Sequence, residues 1–303
     1  MYVFYTAFTP CQPPSGIIFF SPLEDAISPR CVIWYNQAGE WMDLLSRFLL
    51  LFSVLAFLST PIASLAAEVI PNRGFKVLRT LPHDPAAFTQ GLVFHDGHLY
   101  ESIGQYEKSE LRKTDWETGK VIQSYSLAAN LFGEGIALQG NRIHQLTWLS
   151  RYCLIFDRDT LKPSRFIPIT HSSQGWGLTW DGRSLIASDG SDKLYFLDPD
   201  DMSTRRTLKI TAAGRAVHYL NELEMVDGRI LANIWQDTRI AEISPLSGRV
   251  TAWIECARLV PEHLRGHHDL VLNGIARGPK KNQLFLTGKQ WPVLYLVELQ
   301  PRP

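Results

Sequence analysis

The sequence predicts an all-β protein, a five-bladed β-propeller with four-stranded blades. Three observations support this fold class. After about residue 70, short apolar runs alternate with turns rich in Gly, Asp, Asn and Pro, and helical periodicity is almost absent. The runs form five similar units, whose openings at positions 91, 135, 177, 222 and 274 lie 44, 42, 45 and 52 residues apart. This spacing is typical of propeller blades.

A segment upstream of the repeat has the pattern of a secretory signal, which we place at residues 42–66. Arg47 precedes the apolar run Phe48–Leu58, and the small-x-small pattern Ser64-Leu65-Ala66 follows it. The run is short for a transmembrane helix, although an uncleaved anchor remains the alternative. We therefore expect a periplasmic or secreted protein, or a membrane-anchored one if the signal is not cleaved.

Residues 1–41 lie upstream of this signal, although a signal normally stands at the start of a chain. We interpret them as an artefact of start-site choice before Met42, or as a disordered tail on an uncleaved anchor. The propeller domain is then predicted over residues 67–303, which is long enough for one large core. The 303-residue chain has no net formal charge, which excludes nucleic-acid binding driven by charge.

Each repeat unit opens with an apolar strand behind a Gly or Glu. The five openings are Gln90-Gly91-Leu92-Val93, Glu134-Gly135-Ile136-Ala137, Trp176-Gly177-Leu178-Thr179, Asn221-Glu222-Leu223-Glu224 and Asn273-Gly274-Ile275-Ala276. Three more strands follow in each of the first four units, but the fifth unit ends after its third strand. We expect the unpaired strand Phe75–Leu81 to supply the missing outer strand and close the ring, since closure hides open sheet edges.

The residues that precede these openings predict a binding site. Innermost strands line the central channel of a propeller, so equivalent positions of the five blades converge on one axis. The five residues are Gln90, Glu134, Trp176, Asn221 and Asn273. A purely structural ring would repeat one small or apolar residue, whereas these five differ and are mostly polar. A binding site is therefore favoured over a satisfied polar plug.

The ends of the second strands add an aromatic wall and a cation to this site. They carry Trp148, Trp235 and Lys289, and Phe88 lies just before the first opening. Other tryptophans, among them Trp116, Trp180 and Trp253, are interpreted as fillers of the wedges between blades, and Trp291 fits either role. We expect a pocket that contains one acid, one amine and several amides between aromatic rings.

These motifs resemble one enzyme family, the plant and bacterial type of glutamine cyclotransferase (glutaminyl-peptide cyclotransferase). The resemblance rests on segments that occur in order over about residues 70–299: Phe88-Thr89-Gln90-Gly91-Leu92, Tyr100-Glu101-Ser102, Phe132-Gly133-Glu134-Gly135, Asn221-Glu222-Leu223-Glu224, Asn233-Ile234-Trp235, Leu272-Asn273-Gly274-Ile275 and Thr287-Gly288-Lys289. It implies a five-bladed propeller that converts N-terminal glutamine into pyroglutamate and releases ammonia. The leader and the loop 258–269 are the divergent parts.

The resemblance also implies roles for single residues. Glu134 becomes the acid and base, and Lys289 is expected to face the carbonyl oxygen. The resemblance places the following residues around the substrate: Phe88, Gln90, Trp148, Trp176, Asn221, Trp235 and Lys289. The axial position of Asn273 adds it to the expected substrate-binding residues. We expect a monomer without cofactor or metal, acting on peptides or proteins with N-terminal glutamine, and bound neither to nucleic acid nor, after signal cleavage, to the membrane.

Two other functions remain as alternatives. In a calcium-dependent propeller lactonase, Glu134, Asn221 and Asn273 would bind the ion, but such a site usually needs a second carboxylate. A non-catalytic peptide-binding propeller would bind without turnover. Cysteines and histidines indicate no further chemistry. Cys153 and Cys256 are interpreted as buried apolar residues rather than a disulfide. His267 and His268 are interpreted as loop residues.

Overall fold

The computed structural model describes residues 68–302, and short antiparallel strands separated by turns fill almost all of this range. The predicted signal at 42–66 and the stretch 1–41 lie outside the described residues, so both stay predictions. In the described part the only helices are two single 3₁₀ turns, Ala257–Leu259 and Glu262–Leu264. None of its helices is long and apolar enough to cross a membrane.

The strands form five four-stranded antiparallel sheets, as predicted. The first sheet is β2 (Thr89–His95), β3 (His98–Ile103), β4 (Glu110–Thr114) and β5 (Val121–Ser126). The second is β6 (Gly133–Gln139), β7 (Arg142–Thr147), β8 (Tyr152–Asp157) and β9 (Pro163–Pro168). The third is β10 (Leu178–Trp180), β11 (Leu185–Ala187), β12 (Lys193–Leu197) and β13 (Thr204–Lys209), and the small hairpin β14 (Thr211–Ala212) and β15 (Arg215–Ala216) follows it.

The last two sheets complete the propeller. The fourth is β16 (Leu220–Val226), β17 (Arg229–Ile234), β18 (Arg239–Ile243) and β19 (Val250–Glu255). The fifth is β20 (Leu272–Arg277), β21 (Gln283–Gly288) and β22 (Val293–Leu299), with β1 (Phe75–Pro82) as its outermost strand. β1 pairs antiparallel with β22, from Phe75 opposite Leu299 to Pro82 opposite Val293.

Hydrophobic clusters lie between neighbouring blades rather than inside them. Successive residues of a strand point to opposite faces, so Ile136 packs toward the first blade while Ala137 packs toward the third. A further cluster joins the fifth blade to the first, with Leu294 and Phe285 against Leu92. The core is therefore a set of five inter-blade wedges.

Large and small apolar residues fill these wedges as the sequence indicated. Trp116, Trp180 and Trp253 each pack against a different cluster. Trp291 is fully buried between the fourth and fifth blades, where its indole N–H donates to the Leu270 carbonyl oxygen, so its role is structural. Cys153 and Cys256 are both free thiols buried in separate clusters, which agrees with the interpretation that they do not form a disulfide.

The innermost strands of adjacent blades are in direct backbone contact. A Cβ atom placed on Gly91 would lie 2.5 Å from the backbone nitrogen of Ile136 in the next blade. A Cβ on Gly135 would likewise meet the backbone nitrogen of Leu178. The glycines of the first three openings, Gly91, Gly135 and Gly177, are therefore required for close approach, and they set the narrow diameter of the channel.

We expect Gly135→Ala to lower the free energy of unfolding by about 1–3 kcal/mol, because its methyl group must push two backbones apart. Thermal or urea unfolding measures the effect. Gly97→Asn is the matched control, since Gly97 has a positive φ that Asn tolerates and open space around it. Equal stability of the two variants would contradict the close approach.

Candidate active site

One end of the channel opens into a cavity of about 380 Å³. Inner strands begin at this end and second strands finish there, because the two are antiparallel neighbours. The residues that line the cavity are Phe88, Gln90, Phe132, Glu134, Trp148, Trp176, Asn221, Trp235, His268, Asp269 and Lys289. Eight of the nine side chains predicted from the sequence are in this lining, brought together from all five blades.

The ninth predicted residue, Asn273, does not line the cavity but lies behind its wall. Its side-chain N–H group donates to the Thr89 carbonyl oxygen at 2.9 Å and to Gln90 Oε1 at 3.2 Å. Asn273 thus fixes the amide of Gln90 instead of facing a ligand.

Glu134 is the buried acid of this cavity. Its side chain is 4% exposed, and its Oε1 accepts a hydrogen bond of 3.1 Å from Gln90 Nε2. Burial raises the pKa of Glu134 to about 8, against the opposing effect of the Lys289 ammonium group. The carboxyl group therefore exchanges its proton in the neutral to mildly alkaline range.

Lys289 brings a buried cation to the same cavity. Its Nζ lies 4.8 Å from the centroid of the Phe88 ring, a cation–π distance. Burial lowers the pKa of Lys289, while the carboxylates of Glu134 and Asp269 act in the opposite direction. The backbone N–H of Lys289 donates to Val271 at 3.0 Å, which fixes the base of the side chain.

Aromatic rings form the walls of the cavity in two edge-to-face series. Phe132 contacts Phe88 at 6.3 Å and Trp148 at 5.5 Å between ring centroids. Trp235 contacts Trp176 at 6.1 Å and the ring of His268 at 5.3 Å. Edge-to-face packing stabilises each ring in one orientation, so the walls of the cavity are apolar and fixed.

Asn221 offers a polar group that the protein itself leaves unused. Its side chain is 3% exposed, and within residues 68–302 its Oδ1 has no hydrogen-bond donor. Buried polar atoms are nearly always paired. This oxygen is therefore available to an N–H group of a ligand.

Three lining residues were not predicted as site residues. Phe132 stands two positions before Glu134, so the aromatic–Gly–acid pattern carried a signal for it. His268 and Asp269 were assigned to a loop, and they do lie in the loop before β20, but both reach the cavity. His268 Nδ1 lies 3.0 Å from the Asp269 carboxylate. Since this loop is outside the repeat, the sequence held no signal for its position.

A second buried carboxylate lies deeper in the channel. Glu222 occupies the place where the other four blades have glycine, and its two oxygens accept the backbone N–H groups of Leu92 at 3.3 Å and Ile275 at 2.9 Å. Burial, and then the neighbouring Glu224, raise the pKa of Glu222 well above its usual range. Over residues 68–302, no three His, Cys, Asp or Glu side chains are placed together to hold a metal ion.

Comparison with known proteins gives concordant matches. A family model described as glutamine cyclotransferase matches residues 49–299, starting inside the predicted signal segment. A glutaminyl-peptide cyclotransferase of Arabidopsis thaliana is 42% identical over 229 residues, which cover 74% of this chain and 71% of the relative. The crystal structure of Myxococcus xanthus glutaminyl cyclase superposes with a TM-score of 0.70 at 36% identity, covering 77% of this chain and 99% of that one.

We expect Lys289→Met to raise the pKa of Glu134 above about 8, because the ammonium group that lowers this pKa is lost. Carbon-13 NMR titration of glutamate carboxyl groups measures the change, with the signal assigned through Glu134→Gln. Lys193→Met, which removes an exposed lysine of β12, is the control. A pKa that stays the same or falls would show that Lys289 does not act on Glu134.

Proposed function

The chain belongs to the glutamine cyclotransferase family, and we propose that its cavity closes an N-terminal glutamine into pyroglutamate, with Glu134 carrying the proton between the two nitrogens. The observation that carries this proposal is the state of Glu134. It is a buried carboxyl group with a pKa of about 8, at the floor of an aromatic cavity and next to a buried lysine.

The pKa of Glu134 matches that of the group it must deprotonate. A peptide α-amino group has a pKa of about 7.7–8.0. A substrate ammonium with an ionised Glu134, and a neutral amine with a protonated Glu134, therefore have similar free energies. Proton transfer from the ammonium group to Glu134 makes the amine nucleophilic.

Ring closure then needs two more proton movements. The neutral α-nitrogen attacks the side-chain carbonyl carbon of the glutamine and forms the new C–N bond. Protonated Glu134 gives its proton to the amide nitrogen, the old C–N bond breaks, and ammonia leaves. The lactam nitrogen returns its surplus proton to the carboxylate. Because both reacting groups belong to one residue, the cavity only has to hold one rotamer.

Polar groups around Glu134 suit the charges that develop. We assign Lys289 to the carbonyl oxygen, where negative charge builds up during attack. The unpaired Oδ1 of Asn221 accepts an N–H of the substrate amine. Gln90, held by Asn273 on one side and bonded to Glu134 on the other, orients the substrate amide.

Aromatic walls complete the site by covering the aliphatic stem of the glutamine. Their edge-to-face packing gives a slot with fixed apolar walls, and the exclusion of water strengthens the electrostatic interactions inside. We also propose that the reaction requires no metal, since the single carboxyl group of Glu134 accounts for the proton transfers from the α-nitrogen and to the departing amide nitrogen.

We expect Glu134→Gln to reduce ammonia release from a Gln-initiated peptide by at least about 10²–10⁴-fold, because the amide neither accepts nor donates the transferred proton. The assay follows ammonia and the mass loss of the peptide. Glu262→Gln, which alters an exposed acid in a 3₁₀ turn, is the matched control and should keep full activity.

Circular dichroism and the unfolding temperature confirm that both variants fold. Full activity of Glu134→Gln would remove Glu134 from the mechanism, and peptide binding without turnover in the wild type would favour the non-catalytic propeller. The assay is repeated after exhaustive chelation, where loss of activity would contradict the metal-free proposal.

We expect the pH profile of kcat/KM to be bell-shaped with its maximum near pH 8. Below this pH, Glu134 and the substrate amine are both protonated, so no base is available. Above it, both have lost their protons, and none is left for the departing ammonia. Initial rates between pH 5.5 and 10.5 test this, and a flat profile between pH 6 and 10 would contradict the shared proton.

A further inference from the structure

One amide oxygen joins two indoles that line the cavity. Gln174 Oε1 accepts a hydrogen bond of 2.8 Å from Trp148 Nε1 and one of 3.1 Å from Trp176 Nε1. An indole has a single donor and a carbonyl oxygen has two lone pairs, so one acceptor satisfies both rings. Trp148 follows the second strand of its blade and Trp176 precedes the inner strand of the next blade. The bond pair thus bridges two blades.

Gln174 does not line the cavity itself. It lies in the loop between β9 and β10, and the two indoles to which it is bonded do line the cavity. Any influence on the reaction must therefore pass through the orientation of Trp148 and Trp176.

The loop that carries Gln174 is anchored on its far side to an aspartate of the third blade. Asp189 Oδ2 accepts hydrogen bonds from Ser172 Oγ at 2.8 Å and from the Tyr195 hydroxyl at 3.0 Å. The ring of His171 packs on Tyr195 at 4.9 Å between centroids. On the near side, the Gly175 N–H donates to the Trp148 carbonyl oxygen at 3.1 Å. The backbone of Gln174 is thus fixed at both ends.

Trp176 is held from its other face as well. A Cβ on Gly190 would come within 2.8 Å of the Trp176 ring, so this ring lies directly on the backbone. With one face on Gly190 and the N–H on Gln174, the indole has little freedom to rotate. Trp148 has Phe132 against its ring and shares the same acceptor.

We propose that Gln174 is a positioning residue that sets the width of the slot between Trp148 and Trp176, and thereby the fit of the glutamine stem. The proposal rests on the proposed function, because it assigns the slot to that substrate. The indoles contact the stem before and during ring closure, so Gln174 acts mainly on substrate affinity.

The test compares two substitutions at this position. Gln174→Met keeps the length of the side chain and removes the acceptor, whereas Gln174→Glu keeps an oxygen acceptor for both indoles. The loss of two hydrogen bonds corresponds to roughly a tenfold change in an equilibrium constant. We therefore expect Gln174→Met to raise KM for a Gln-peptide roughly tenfold with a smaller change in kcat, and Gln174→Glu to stay near the wild type.

Two further measurements separate this role from a general loss of structure. Nitrogen-15 indole NMR, assigned with Trp148→Phe and Trp176→Phe, should show both N–H signals shifted in Gln174→Met and restored in Gln174→Glu. Gln123→Met is the matched control, because Gln123 is also hydrogen-bonded, to the Thr160 carbonyl oxygen, but lies on the outer strand β5.

Binding of the Gln-peptide is also measured by calorimetry in the Glu134→Gln background, which does not consume it. A roughly tenfold loss of affinity with Gln174→Met, recovered with Gln174→Glu, supports the proposal. Affinity within twofold of the parent, or a Gln174→Glu variant as weak as Gln174→Met, overturns it. If the wild type binds the peptide but releases no ammonia, the proposed function fails while the binding comparison still decides the role of Gln174.

Discussion

Backbone contact between the inner strands is the constraint on which the rest of the structure depends. Where Gly91 and Gly135 meet the next blade, there is no room for a side chain, so neighbouring strands converge to a narrow axis. The residue just before each glycine then stands at the mouth of the channel. For this reason residues from distant parts of the chain, such as Gln90 and Glu134, lie within hydrogen-bond distance.

The convergence of the inner strands does not by itself make a reactive site. The surroundings of the Glu134 carboxyl group decide its chemistry. Aromatic walls remove water from Glu134 and raise its pKa, while the cation of Lys289 limits the increase. Gln90 links the carboxyl group to the fifth blade through Asn273. Groups from three blades thus surround this one carboxyl group, which explains why the site lies where the blades meet near the axis.

Much of this arrangement was predictable from the sequence, because a repeat places equivalent positions at equivalent points in space. The blade count and eight of the nine expected lining residues follow from that rule. Asn273 departs from it: Gly274 has a φ of 127°, outside the range of the equivalent Gly91, and the Asn273 amide bonds to the first blade. A difference in the φ angle of one glycine cannot be predicted from a residue pattern. His268 and Asp269 belong to an irregular loop with no counterpart in other blades.

The contrast between Glu134 and Glu222 shows what distinguishes the proposed catalytic acid from a structural one. Both are buried carboxyl groups near the axis with raised pKa values. Both oxygens of Glu222 accept backbone N–H groups of the first and fifth blades, so this carboxyl group joins the inner strands, and it is not among the residues that line the cavity. Glu134 bonds instead to a side chain, and it lines an open cavity beside a cation. Burial raises the pKa of both groups, but only a carboxyl group with access to the cavity exchanges its proton with a substrate. Access to the cavity, more than a raised pKa, is therefore the reason for proposing Glu134 as the reactive acid of this channel.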